Sequence, residues 1–205
     1  MSSGSDMKGI FSKAIAEHLQ VVRQLDEQQQ VLCAIALAMS AAIRSGRKIL
    51  WCGNGGSAAD SQHLAAEIVG RFSRERRALP SIALTTDTSI LTAVANDFGF
   101  KAVFSRQIEA LAVPGDMLVG ISSSGDSPNV VEAIETARSQ GLVTVAFTGA
   151  GGGKVGALAD HLFAVNSRNT ARIQEAHILA GHLLCDWIET ESMSNQAAAV
   201  RFLER

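Results

Sequence analysis

Proline is scarce in this sequence, with three residues among 205. Together with a hydrophobic fraction of 47%, that scarcity excludes a disordered chain and points to a well-packed globular protein. An excess of charge of one sign is also lacking. The formal net charge is −2, which gives no electrostatic reason to expect a nucleic-acid partner. Arg71, Arg74, Arg76 and Arg77 do cluster, but Glu75 interrupts them, and they read as a solvated helix end. The cysteines are few and odd in number: Cys33, Cys52 and Cys185. Their wide spacing excludes a disulfide framework or a Cys-x-x-Cys site, leaving small core residues in a reducing compartment. Long hydrophobic runs are missing too. The most apolar stretch, Val31 to Ile43, spans 13 residues and is too short to cross a bilayer. Met1 to Asp6 is polar and reads as a flexible end with no signal peptide. A soluble cytoplasmic protein with no membrane partner is the expectation.

What is present is organised by periodicity. Between about Ile10 and Ser45 the chain predicts two helices. Phe11, Ile15, Leu19, Val22 and Leu25 recur at steps of three or four, which puts them on one helical face. The later part, VLCAIALAMSAAI, is apolar on nearly every side. Such a helix must be buried, and an intersubunit contact would bury it well. From Lys48 onward, short apolar runs at 48–52, 81–85, 117–122, 143–148 and 161–165 alternate with helix-compatible segments near 57–71, 88–95, 104–112, 128–140 and 153–158. That alternation predicts a single α/β domain over 1–205: a helical part at 1–46, then a doubly wound, five-stranded parallel sheet sandwiched by helices. A last helix is predicted over about Ala171 to Glu191, with an ambiguous tail after Ser192. No internal repeat or low-complexity segment occurs.

In such sheets, ligands sit beyond the carboxyl ends of the strands, where the strand order reverses. Two of the strand ends carry informative loops. Gly53-Asn54-Gly55-Gly56-Ser57-Ala58 fits the G-x-G-x-x-G/A fingerprint of dinucleotide sites. That reading requires an acidic residue about 20 positions onward, whereas the best candidate, Asp87, lies 34 positions after Gly53. The alternative is that the glycines admit a smaller ligand, with Asn54 and Ser57 offering polar groups. The second loop, Ser122-Ser123-Ser124-Gly125-Asp126-Ser127-Pro128-Asn129, combines serine hydroxyls with a helix start. Ser127 is a favoured N-cap and Pro128 suits the first helical position. Free N–H groups, helix dipole and hydroxyls make a phosphate site there, against the plainer reading of a capped helix behind a polar loop.

Titratable residues recur on two helices. His63 and Glu67 stand at i, i+4 after the glycine loop; Gln174, Ile178 and His182 follow at steps of four on the last helix, with Glu175 and His177 nearby. A histidine one turn from a glutamate serves as an acid–base pair, as two ligands of a metal, or simply as a helix-surface hydrogen bond. Spacing does not show that the two helices meet.

Five stretches in order resemble bacterial phosphoheptose isomerase, a family with the sugar isomerase (SIS) fold: CGNGGSAADSQHLAAE, ANDFGF, GISSSGDSPNV, GGGK and RIQEAHILAGHLLCDWIE. The resemblance covers almost the whole chain. It implies a cytoplasmic homotetramer that converts sedoheptulose 7-phosphate to D-glycero-D-manno-heptose 7-phosphate, toward the heptose of lipopolysaccharide core or of other glycans. By motif match, Glu67 and His182 fall on the family's acid–base pair. His63, Glu67, Gln174 and His182 fall on its zinc-binding positions, one ion per subunit. Asn54, Gly55, Gly56, Asn96, Asp97, Ser122, Ser123, Ser124, Ser127 and Gln174 fall on its substrate positions, to which the loop reading adds Ser57 and the enediol chemistry adds Glu67. One departure is visible: Asp126 stands where the family often has asparagine, so its side chain is expected to point away from the phosphate or to cap the turn. A related non-enzymatic protein of this fold binds the replication initiator DnaA, and is the rival reading. It lacks the glutamate that corresponds to Glu67, so Glu67 and His182 favour the isomerase.

Overall fold

The computed structural model describes the backbone of residues 3–203 and the side chains of residues 6–194. Ser3–Arg23 (α1) and Gln29–Arg44 (α2), linked by a 3-10 turn at Gln24–Gln28, lead into Ile49–Gly53 (β1). All five residues of β1 are buried. It pairs in parallel with Ser81–Ala83 (β2) on one side and Met117–Ser122 (β3) on the other. Val143–Thr148 (β4) and His161–Ala164 (β5) extend the sheet, giving the order β2-β1-β3-β4-β5 with every pairing parallel. Strands covered on both faces need no polar alternation, which is why ILWCG and MLVGIS read as continuous apolar runs. The expected five-stranded, doubly wound sheet is present. Its order reverses between β1 and β3, so the crevice at their carboxyl ends is the switch point.

Alternate strand residues point to opposite faces. Ile49, Trp51, Val119 and Phe147 share one core with α2, Gly56–Val69 (α3) and Thr170–Leu203 (α8). Leu50, Cys52, Leu118 and Ala146 share the other with Thr88–Phe98 (α4), Ser105–Leu111 (α5), Pro128–Ser139 (α6) and Gly153–Leu158 (α7). The consequence for function is that α3 and α8 lie side by side on the same face.

Several local expectations need correction. The second strand stops at Ala83 instead of residue 85, because the chain turns there and Thr86 Oγ1 donates to the Ala83 carbonyl. The last helix continues to Leu203, past Glu191; no proline interrupts it, and the segment after Ser194 is rich in helix formers. The polar start is helical from Ser3, while Met1 and Ser2 lie outside the described residues. Cys33 is exposed; Cys52 and Cys185 are buried, and burial pushes both of their thiols up to about 12.

Helix α2 is buried along one face only, through Leu32, Ile35, Ala36, Met39, Ala42 and Ile43. Its other face leaves Leu37 exposed, beside Leu183 and Trp187 of α8, in an apolar groove of about 460 Å³. On α1, Ile10, Phe11, Ile15 and Leu19 are also exposed, whereas Val22 and, in the 3-10 turn that follows, Leu25 reach the core. Among the described residues no helix is long and apolar enough to cross a membrane.

The approach to β3 is held by a buried carboxylate. Asp116 accepts from Lys48 Nζ at 2.6 Å, the Lys48 backbone N–H at 3.0 Å and the Val113 N–H at 2.8 Å. Burial raises its pKa, but these hydrogen bonds and the Lys48 charge outweigh burial and hold Asp116 below the ordinary carboxylate value. A depressed carboxylate contributes stability that is present above the unfolded-state pKa and lost as pH falls through the folded one. Asp116→Asn should therefore cost about 1.5–3 kcal/mol at neutral pH. Urea midpoints should show the gap to wild type closing as pH drops below about 4.

Candidate active site

The junction of α3 with α8 is set by a glycine. A Cβ on Gly181 would lie 2.5 Å from both Leu64 Cδ atoms, so a larger residue there forces the buried Leu64 side chain to shift. The neighbouring residues are His63 and His182. Their rings meet edge-on, with centroids 5.1 Å apart at 72°, and their Nε2 atoms are 2.9 Å apart. One helical turn along α3, Glu67 brings Oε1 to 3.4 Å from His63 Nε2. Sequence spacing left open whether these helices meet; the sheet brings them together. Phe72 flanks the other side of His182, with ring centroids 5.4 Å apart.

Two imidazole nitrogens and a carboxylate are donors that zinc accepts. The set is not assembled as a coordination shell: among the described residues, no group of three or more His, Cys, Asp and Glu side chains is arranged to hold a metal ion. Gln174 stands eight residues before His182, about 12 Å along the helix. Its amide lies against Gly56, where any Cβ would collide with it. The base of α8 thus packs on the glycine loop, and its middle on His63.

At the switch point, the loops after β1 and β3 are tied together by a pair of amides. Asn54 and Asn129 exchange two hydrogen bonds of 2.8 Å each. Gly55 and Gly56 are exposed beside them, while Ser57 is buried. In the serine loop the hydroxyls converge. Ser122 Oγ lies 2.9 Å from Ser127 Oγ and 3.4 Å from Ser124 Oγ. Ser127 does hold the N-cap position of α6, with Pro128 next, but its hydroxyl makes no cap hydrogen bond and turns to Ser122 instead. The first N–H groups of α6 remain without that cap, which suits an anion. Ser123 and Ser124 also line a cavity of about 240 Å³ with Arg168 and Thr170. Asp126 accepts from the Lys154 backbone N–H at 3.1 Å, in the first turn of α7.

Other candidates have structural roles. Asp87 caps α4 by accepting from the Ile90 N–H at 2.9 Å, which removes it as a ribose-binding acid. His177 is a buried core histidine bonded to the Thr148 carbonyl, and burial lowers its pKa to about 4. Glu175 pairs with Arg172 and His18. Asn96 and Asp97 lie exposed on α4 and bond to each other. The arginine cluster is not uniformly solvated, because the Arg76 side chain is almost wholly buried. Sequence reasoning missed three participants: Asn129, Arg76 and Asp60. Asp60 Oδ2 is buried without a partner, and burial raises this carboxyl to about 6 against the opposing pull of His63. Its place three residues before His63 was the available signal.

Known proteins share this sequence pattern and fold. The SIS domain family matches residues 11–149. The chain is 53% identical over 182 residues to phosphoheptose isomerase from Nitratidesulfovibrio vulgaris, covering 89% of this chain and 88% of that protein. It is 50% identical over 183 residues to the Aquifex aeolicus phosphoheptose isomerase, covering 89% and 94%. The solved phosphoheptose isomerase from Neisseria gonorrhoeae superposes with a TM-score of 0.86 at 43% identity, over 90% of this chain and 99% of that one. With the SIS fold, the serine loop and the paired helices in place, the chain belongs to the phosphoheptose isomerases, a family of SIS-domain sugar-phosphate isomerases.

Proposed function

We propose that this chain interconverts sedoheptulose 7-phosphate and D-glycero-D-manno-heptose 7-phosphate through an enediol, supplying heptose for lipopolysaccharide core or other glycans from a cytoplasmic location. The observation that carries this reading is the meeting of His63, Glu67 and His182 across α3 and α8. Ketose–aldose exchange removes a proton from C1 and delivers one to C2, while a second proton passes between the two oxygens. A carboxylate beside an imidazole provides both kinds of transfer. Glu67 is assigned the carbon-bound proton, and His182 the oxygen proton or ring opening. At the switch point, Ser122, Ser124 and Ser127 with the N-terminus of α6 take the phosphate. Asn54, Gly55, Gly56, Ser57 and Ser123 line its approach; Asn96, Asp97 and Gln174 are assigned to the sugar hydroxyls. Zinc would be held by His63, Glu67 and His182 after their side chains rearrange around it, with Gln174 as the fourth ligand that the resemblance implies, and would polarise the substrate oxygen and stabilise enediolate charge. The exposed apolar faces of α1 and of the α2–α8 groove support a homotetramer.

Turnover of sedoheptulose 7-phosphate is the direct test. Glu67→Gln and His182→Asn should each lower kcat by about 10²- to 10⁴-fold. The double variant should lose much less than the product of the two. Wild-type protein without turnover would leave the DnaA-type binding protein as the better reading. After zinc addition, elemental analysis should find about one ion per chain, and His63→Ala combined with His182→Ala should abolish it. Light scattering at micromolar concentration should report a tetramer, and Leu37→Lys with Trp187→Lys should shift it toward smaller species. An active wild-type monomer would overturn the assembly.

A further inference from the structure

The segment between α3 and β2 is knotted to α8 by two charged side chains that the chemistry above does not use. Glu189 of α8 is fully buried. Its carboxylate accepts the backbone N–H groups of Phe72, Ser73 and Arg74 at 2.9, 2.8 and 2.8 Å, and the Ser73 hydroxyl at 3.0 Å. Burial raises its pKa, yet these donors outweigh burial and keep the group ionised. Arg76 places Nε 3.4 Å from Glu189 Oε1, and its side chain is only 2% exposed. The same guanidinium donates to the carbonyls of Glu67 at 2.8 Å and Gly70 at 3.1 Å. Carbonyls in the last turn of a helix lack helical partners, so Arg76 caps the end of α3 that carries Glu67.

Both arms of this knot reach the site. One arm runs from Glu189 through the backbone of Phe72 to the ring that flanks His182. The other runs through Arg76 to the main chain of Glu67. A buried ion pair is weak evidence of stabilisation, because desolvation offsets most of its attraction. Directional bonds to three successive N–H groups do fix a loop's position, and a catalytic group displaced by about 1 Å loses on the order of 100-fold in rate. We propose that Glu189 is a positioning residue for the isomerisation, holding Phe72 against the His182 imidazole and, through Arg76, holding Glu67 at the end of α3. This rests on Glu67 and His182 being the proton-transferring pair.

The test compares Glu189→Gln, Phe72→Leu, their double variant and Glu67→Gln in sedoheptulose 7-phosphate turnover, with circular dichroism confirming the folded fraction at the assay temperature. Glu189→Gln and Phe72→Leu should each lower kcat by about 10- to 100-fold. KM should stay within about twofold, because Glu189 is 15 residues beyond Gln174, or about 22 Å along α8 from the glycine loop. The double variant should fall little further than the weaker single, as expected of residues acting through one contact. A purely structural role would lower the folded fraction and leave kcat per folded enzyme unchanged, and that result overturns the proposal. If Glu189→Gln does not fold, Phe72→Leu decides: full kcat overturns positioning, and reduced kcat at unchanged KM supports it. Loss in Glu67→Gln with full turnover in both other singles rejects positioning alone. Full turnover in Glu67→Gln rejects the catalytic pair and the positioning with it.

Discussion

The approach of α8 to α3 at Gly181 and Leu64 is the constraint on which the site depends. Both helices pack on the sheet face that presents Ile49, Trp51, Val119 and Phe147, so each is already fixed in height. Their separation is then decided by the smallest side chain at the crossing. With glycine there, His182 comes within hydrogen-bonding distance of His63, and the base of α8 sets Gln174 on Gly56. A methyl at position 181 would meet the buried Leu64 side chain at 2.5 Å and force it to shift.

The sheet supplies the second organising feature. Strands β1 and β3 are neighbours, but the chain visits β2 between them, and their loops flank the crevice at the switch point. Asn54 and Asn129 tie the two loops together with reciprocal amide bonds. The same two loops carry the exposed glycines and the three clustered hydroxyls. Asp126 directs its carboxylate to the backbone N–H of Lys154 in the first turn of α7.

Polarity is inverted in two regions. Glu189 and Arg76 lie inside, bonded mainly to main-chain groups, while Ile10, Phe11, Ile15 and Leu37 lie outside. The interior charges hold irregular backbone that has no ladder to join, a use of polar groups that apolar packing cannot replace. The exterior apolar groups sit on α1 and α2, whose stripes are wider than one sheet face can cover.

How far each feature was legible in the sequence follows from the range of the interactions that create it. Strand runs, helix periods, the serine loop with Pro128, and the i, i+4 pairing of His63 with Glu67 depend on neighbours within a few residues, so residue order alone determined them. Motif order likewise carried the family and the five-stranded sheet. The end of the last helix was less legible, because helix formers continue past Glu191 without a stop signal. Tertiary structure alone decided which partners meet across long separations: His63 with His182, Asn54 with Asn129, and Glu189 with the loop after α3. It also turned Ser127 toward Ser122, buried Arg76 and exposed one face of α2. These contacts join residues up to 119 apart, and no local period encodes them; they follow from strand order and from how closely two helices can approach on one sheet face.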